Sequence, residues 1–260
     1  MVGKRIPLFN RGNILTKEML DALKDYAVRS SELAYVGYSD GILKGCNITT
    51  KDNLITINKG ILIFNETAYY IHEPISIDYK PSNEWLVLKV SLQGESVTEN
   101  FISRDIDIIL TNDDSQLDHE DVEICRFKLQ TGARLRYKYK DLSDMNTMYD
   151  TVNIIHSKWA AYGNTSVSPI ILRSFLAEAL QYPINDSLDK VFCQEIASLK
   201  GETINREAIS IYICNKTQKD YKLCNNTEIY QGLKEALKLI KGEKVEVNKN
   251  IRRERRIIVD

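Results

Sequence analysis

Histidine is scarce in this 260-residue chain, and cysteine is scattered. The three histidines, His72, His119 and His156, lie in different stretches. None has an i, i+4 partner that would set two imidazoles on one helix face for a metal. No G-x-S-x-G, H-E-x-x-H, Walker loop or G-x-G-x-x-G occurs, which removes the common nucleophile, metalloprotease and nucleotide signatures. Cys46, Cys125, Cys193, Cys214 and Cys224 are odd in number and contain no C-x-x-C. A disulfide framework and a zinc ribbon are thereby disfavoured, and free thiols in a reducing compartment are expected. No charge of one sign dominates: 35 Lys and Arg stand against 36 Asp and Glu. That balance supplies no electrostatic reason to expect nucleic acid or anionic lipid as the main partner. No segment approaches the roughly 18 uninterrupted apolar residues of a membrane span, and the start "MVGKRIPLFNRG" lacks a signal-peptide core. The expectation is a soluble chain made in the cytoplasm, in which the sequons at Asn47, Asn65, Asn164, Asn215 and Asn225 are ordinary turns.

What is present is patterned. Residues 1–40 read as an arm and a helix: Thr16 is a cap, Glu18 an early negative charge, and Met19, Leu20, Leu23, Tyr26 and Ala27 recur at helical spacing. Such a stripe docks on another chain or on the body, and the segment leaves both open. From Gly41 the period becomes two. "DNLITINKG", "ILIF", "NETAYYIHEP", "EWLVLKVSL", "NFISRDIDIIL" and "DVEICRFKLQTGARLRYKY" predict a sandwich-like all-β domain over 41–142. Residues 143–202 predict a helical segment, with Ser168-Pro169 starting one helix and Asp186 or Ser187 capping a second before Gly201. Residues 203–260 predict a small α+β domain: a strand "AISIYICN", a capped helix with Ile229, Leu233, Leu237 and Ile240 on one stripe, and a hairpin in "KVEVNKNIRRERRIIVD". The fold class expected is multi-part α+β.

Chemistry is harder to find. Asp105 and Asp107 project from one strand face, but paired carboxylates for acid–base work need a matched separation and a cleft. His119 in "LDHED" lies among acids that would favour a charged imidazole or a metal, and the commoner reading is an exposed acidic loop without EF-hand spacing. Trp85, Tyr69, Tyr70 and Trp159 could stack on sugar rings, although strand aromatics are more often core. The basic run Arg252, Arg253, Arg255 and Arg256 is short, lacks aromatic neighbours and runs into "IIVD", which favours a protein interface over nucleic acid. No catalytic, cofactor or metal residue is assigned, and no enzyme activity is expected. Leu20, Leu23 and the four arginines are the candidate interface residues.

One segment resembles a known family. "YVGYSDGILKGCNITTKDNLITINKGILIFNETAYYI" is similar to a stretch near the start of many baseplate and tail-fibre-attachment proteins of bacteriophages and phage-tail-like bacteriocins. The matched positions are Gly41, Ile42, Leu43, Gly45, Cys46, Ile55, Ile57, Gly60 and Ile61. A later glycine of the pattern is replaced here by "NET". A looser likeness covers "WAAYGNTSVSPIILRSFLAEAL", a small-residue turn and Ser-Pro-started helix. The resemblance implies a structural baseplate component in several copies, joining hub or wedge to peripheral fibres. Its partners would be other baseplate proteins, a tail fibre protein and copies of itself, with no nucleic acid, membrane insertion or cofactor. It would be made in the bacterial cytoplasm and assembled into the tail of the particle. The alternatives are a carbohydrate-recognition module of the same particle and an envelope hydrolase.

Overall fold

Six short strands follow the first helix: β1 (Gly41–Gly45), β2 (Ile48–Lys51), β3 (Leu54–Ile57), β4 (Gly60–Phe64), β5 (Thr67–Ile71) and β6 (Ile75–Asp78). The structure, a computed structural model, describes residues 6–112 and 121–243. The six strands make two antiparallel sheets, β1-β4-β5 and β2-β3-β6. Register shows how they arise. Lys51 faces Leu54, Ile48 faces Ile57, Gly45 faces Gly60 and Gly41 faces Ile63. The first four strands are therefore one long hairpin, bent at half its length so that each half enters a different sheet. β5 and β6 add a third strand bent at the same level, with Ile71 opposite Gly60 and Ile75 opposite Ile57.

The bend is built locally. Gly45 and Cys46 both take left-handed backbone (φ 73° and 51°) beside a register shift between Ile42 and Lys44, which turns the first strand out of its sheet. Across the corner the Cys46 amide donates to the Lys59 carbonyl at 3.1 Å, and the Asn58 amide to the Asn47 carbonyl at 3.0 Å. The Asn58 side chain adds a second bond to the Asn47 carbonyl at 2.7 Å. Gly60 is required by proximity: a Cβ there would run into the Cys46 amide, its sulfur and the Lys44 carbonyl.

The third sheet, β8-β7-β9, contains β7 (Trp85–Val97), β8 (Ile102–Thr111) and β9 (Val122–Lys128). Its base is buried, with Val87, Leu88, Val90, Val122, Ile124, Cys125 and Phe127 in the core. The far half of β7 is exposed, so the β7–β8 hairpin extends beyond the core. The sequence reading carried a strand through "LQTGARLRYKY"; only Val122–Lys128 forms one. The edge of β9 is taken instead by Asn153, which exchanges backbone bonds with Arg126 at 2.9 and 2.7 Å. The same segment reaches β1, where the Ile42 amide donates to the Lys158 carbonyl at 2.9 Å and the Ala160 amide to the Ile42 carbonyl at 2.8 Å. "WAAYGNTS" thus stitches the bent sheets to the helices.

Those helices are α1 (Lys17–Ala34), α2 (Pro169–Ala179), α3 (Ser187–Ser198), α4 (Arg206–Lys216) and α5 (Asn226–Ile240). Thr16, Ser168, Asp186, Asn205 and Asn225 cap them through their side chains, and Asn225 with Glu228 forms a capping box. The stretch "AISIYICN", read as a strand, is helix α4. A strand would put Ile209, Ile211 and Ile213 on one face, yet Ile209 and Ile213 are buried while Ile211 is 48% exposed. The helix instead buries Ile209, Tyr212 and Ile213 at i, i+3 and i+4. The expected hairpin of 244–260 lies outside the described residues. One cluster of buried apolar side chains runs from Ile42 in β1 to Leu237 in α5. The α+β architecture of N-terminal helix, antiparallel sheets and later helices is present.

Candidate interaction surface

Helix α1 buries none of its residues. Leu20 is 50% exposed and Leu23 44%, and Leu33 is exposed as well. The segment that follows α1 is firmly held. The Gly37 amide donates to Glu66 Oε1 at 2.8 Å, the Ser39 amide to the Ala161 carbonyl at 3.0 Å, and Gly163 to the Gly37 carbonyl at 2.8 Å. Tyr38 stands edge-on between Tyr35 and Tyr162, at 5.9 and 6.3 Å between ring centroids. Glu66 explains the replaced glycine of the sequence pattern. Asn65 and Glu66 form a two-residue turn between β4 and β5 with both residues left-handed (φ 46° and 58°). A glycine would meet that conformation without strain, whereas the glutamate carries a side chain that ties down the exit of α1.

Along its length α1 leans on a groove of about 930 Å³, shared with β5 and the outer half of β8. Lys24, Val28 and Glu32 are the α1 side chains that line it. Opposite them are Tyr69 and Tyr70 of β5 and Phe101, Ile102 and Arg104 of the hairpin. The hairpin turn is closed, with the Thr98 amide donating to the Phe101 carbonyl at 2.8 Å. It presents Val97, Phe101 (72% exposed) and Ile102 to solvent. Sequence reasoning missed this apolar tip, because "SVTENFIS" marks a turn only once the length of the hairpin is known.

The residues singled out for chemistry are not gathered. Asp105 borders the groove, while Asp107 is exposed and accepts from the Gln93 side chain at 2.7 Å. His72 sits at the β5–β6 corner, stacked on Tyr70 at 5.8 Å, and His156 is on the distant stitching segment. Trp159 is buried, its indole donating to Ser157 Oγ at 3.1 Å, and Tyr69 packs edge-on against Phe64. Two of the four aromatics considered for sugar binding are thus engaged in packing. His119, Arg252, Arg253, Arg255 and Arg256 lie outside the described residues. All five cysteines are buried free thiols, and burial pushes Cys46 up to about 12, far from a nucleophile. Among the described residues no group of three His, Cys, Asp or Glu is placed to hold a metal, and no helix is long and apolar enough to cross a membrane.

No protein-family model matches the chain, and no curated protein matches it in sequence. Among solved structures it is similar to the crystal structure of TssK, at 10% identity and a TM-score of 0.43, over 95% of this chain and 71% of that one. It is equally similar, at 10% identity and 0.43, to a chain of the type VI secretion system TssK-TssF-TssG baseplate subcomplex, over 92% of this chain and 99% of that one. A chain of another type VI baseplate complex aligns at 10% identity and a TM-score of 0.23, over 95% and 92%. At such identities and scores the likeness assigns neither a family nor a function.

Proposed function

We propose that this chain is a non-enzymatic structural component of the baseplate of a phage tail or phage-tail-like particle, joining hub or wedge to peripheral fibres through protein–protein contacts. The observation that carries the reading is the segment 35–71, whose residues resemble baseplate and fibre-attachment proteins. Its matched Gly45, Cys46 and Gly60 are the ones that form the bent corner. A corner closed by backbone bonds is rigid, and rigid scaffolds suit assemblies whose contacts must repeat with fixed symmetry. The anchored but unburied α1 and the apolar hairpin tip supply contact surface.

The test is quantitative mass spectrometry of tail-like particles sedimented from the source bacterium, with this chain counted against the tube protein. A small fixed ratio that survives salt washing is expected; absence from the particles overturns the reading. Within that assay, the double variant Leu20→Asp/Leu23→Asp is expected to be lost from particles, and its normal incorporation would remove α1 as a contact.

A further inference from the structure

Two of the five buried cysteines converge on one oxygen. Cys214 lies in the last turn of α4, and Cys224 stands just before Asn225, the cap of α5. Their sulfurs reach the same Lys222 carbonyl, at 3.9 Å from Cys214 and 3.6 Å from Cys224. Cys46, Cys125 and Cys193 lie apart, at the β1–β2 corner, in β9 and in α3.

The convergence is built by one face of α4. Arg206, Ser210 and Cys214 follow one another at intervals of four along the helix, and the chain that leads into α5 lies against them. Arg206 Nη1 donates to the Cys224 carbonyl at 2.6 Å, and the Cys224 amide donates to Ser210 Oγ at 3.1 Å. On the other side of the turn the Lys219 amide donates to the Cys214 carbonyl at 2.9 Å. Both cysteines are therefore held through their backbones, at the two ends of one short connection. Their thiols also sense each other: burial pushes the Cys224 thiol up, the Ser210 hydroxyl draws it back, and the neighbouring Cys214 thiol adds to the rise.

The cover over the pair is thin. Gln218 to Leu223 are all exposed, so the two thiols are shielded by a loop whose own side chains stand in solvent. Such a loop opens locally at small cost, which admits a reagent and releases the thiols from the carbonyl they share. A disulfide brings its sulfurs to about 2 Å, and the turn between α4 and α5 is the segment that yields for that approach.

We propose that Cys214 and Cys224 form a redox-responsive pair, in which oxidation by a hydroperoxide joins the end of α4 to the start of α5. One sulfur gives its electron pair to a peroxide oxygen and becomes a sulfenic acid as the O–O bond breaks and water leaves. The second sulfur attacks the first, the S–O bond breaks, and a second water carries off the remaining thiol proton. Two thiols and hydrogen peroxide thus yield one disulfide and two waters. In a reducing compartment the pair stays open. The switch goes beyond the proposed function and does not depend on it.

The full-length chain, reduced and then freed of reductant, is treated in its folded state with hydrogen peroxide. Remaining thiols are alkylated in denaturant, and the chain is digested with trypsin without reduction. Lys216, Lys219 and Lys222 lie between the two cysteines, so trypsin puts them on separate peptides. The expected product is peptide 207–216 joined to peptide 223–234 and parted by a reducing agent. The thermal midpoint of the oxidised chain should rise by roughly 5 to 10 °C over the reduced one, because the crosslink closes a short loop in the unfolded chain. Cys214→Ser, whose hydroxyl can still donate to the Lys222 carbonyl, should show no rise with peroxide. Recovery of the two cysteines as free thiols or sulfinic acids, or only in disulfides with other cysteines, overturns the pairing. So does an oxidised midpoint no higher than the reduced one, or an equal rise in Cys214→Ser.

Discussion

Replacing Gly60 by alanine tests whether the bent corner is the rigid heart of the strand-rich module. Gly60 has no positive φ, so alanine is conformationally acceptable and by itself would stabilise by about 0.4–1 kcal/mol through the unfolded chain. Its Cβ, however, would land on the Cys46 amide, the Cys46 sulfur and the Lys44 carbonyl. Two of those three are backbone atoms, so no rotamer change relieves the collision and the corner must open. Overpacking of this kind costs about 1–3 kcal/mol. Opening also weakens the Cys46–Lys59 and Asn58–Asn47 backbone bonds, at about 1 kcal/mol each. The net expectation is a loss of about 2–4 kcal/mol, or roughly 5 to 15 °C in thermal midpoint for a chain of this size. Gly94→Ala is the control, because a Cβ at Gly94 meets nothing within 4 Å. Circular dichroism melts of the three proteins decide the matter. A Gly60→Ala midpoint equal to or above wild type would refute the reasoning, since the entropic gain would then exceed every cost assigned to the corner.

Tyr230 is buried and its hydroxyl donates to the Leu142 carbonyl at 2.6 Å, tying α5 to the turn at Ser143–Asn146; Tyr230→Phe should cost about 1–3 kcal/mol in urea unfolding, and no loss would show that this carbonyl finds another donor. The Arg136 guanidinium, bonded to Asp144 at 2.5 and 2.6 Å, holds that carboxyl well below the ordinary carboxylate range. Because the folded value is the lower one, this contribution is complete above about pH 5 and is lost as the pH falls toward the depressed folded value. The stability gap between wild type and Asp144→Asn should therefore shrink between about pH 7 and about pH 3, and a constant gap would contradict the pairing. Cys46, pushed up to about 12 by burial, should resist alkylation in the native protein and react after unfolding. Mass spectrometry of the labelled peptide reads this directly, and rapid native labelling would place Cys46 at the surface.

The local features of the fold were legible in the sequence because their causes are local. A capping side chain bonds an amide two or three residues away, so Thr16, Ser168-Pro169, Asp186 and the start of α5 could be read from neighbours alone. Alternation likewise marked the strands from Gly41 to Ile71, and two glycines of that stretch, Gly45 and Gly60, are corner positions. Two readings failed where distant packing decided. "AISIYICN" has both a period of two and an i, i+3, i+4 set, and the burial of Ile209, Tyr212 and Ile213 in the common core selected the helix. The run after Lys128 has strand-like composition, but the edge of β9 was taken by Asn153 from farther along the chain.

The candidate surface divides in the same way. The sequence alone determined that α1 is a capped helix with an apolar stripe, and that Leu20 and Leu23 belong to that stripe, because helical periodicity follows from residue order. Only the tertiary structure decided that none of that stripe is buried and where the helix is tied down. The tie is made by contacts between residues far apart in the chain, Glu66 holding Gly37 and Ala161 holding Ser39, and no spacing within the helix encodes them.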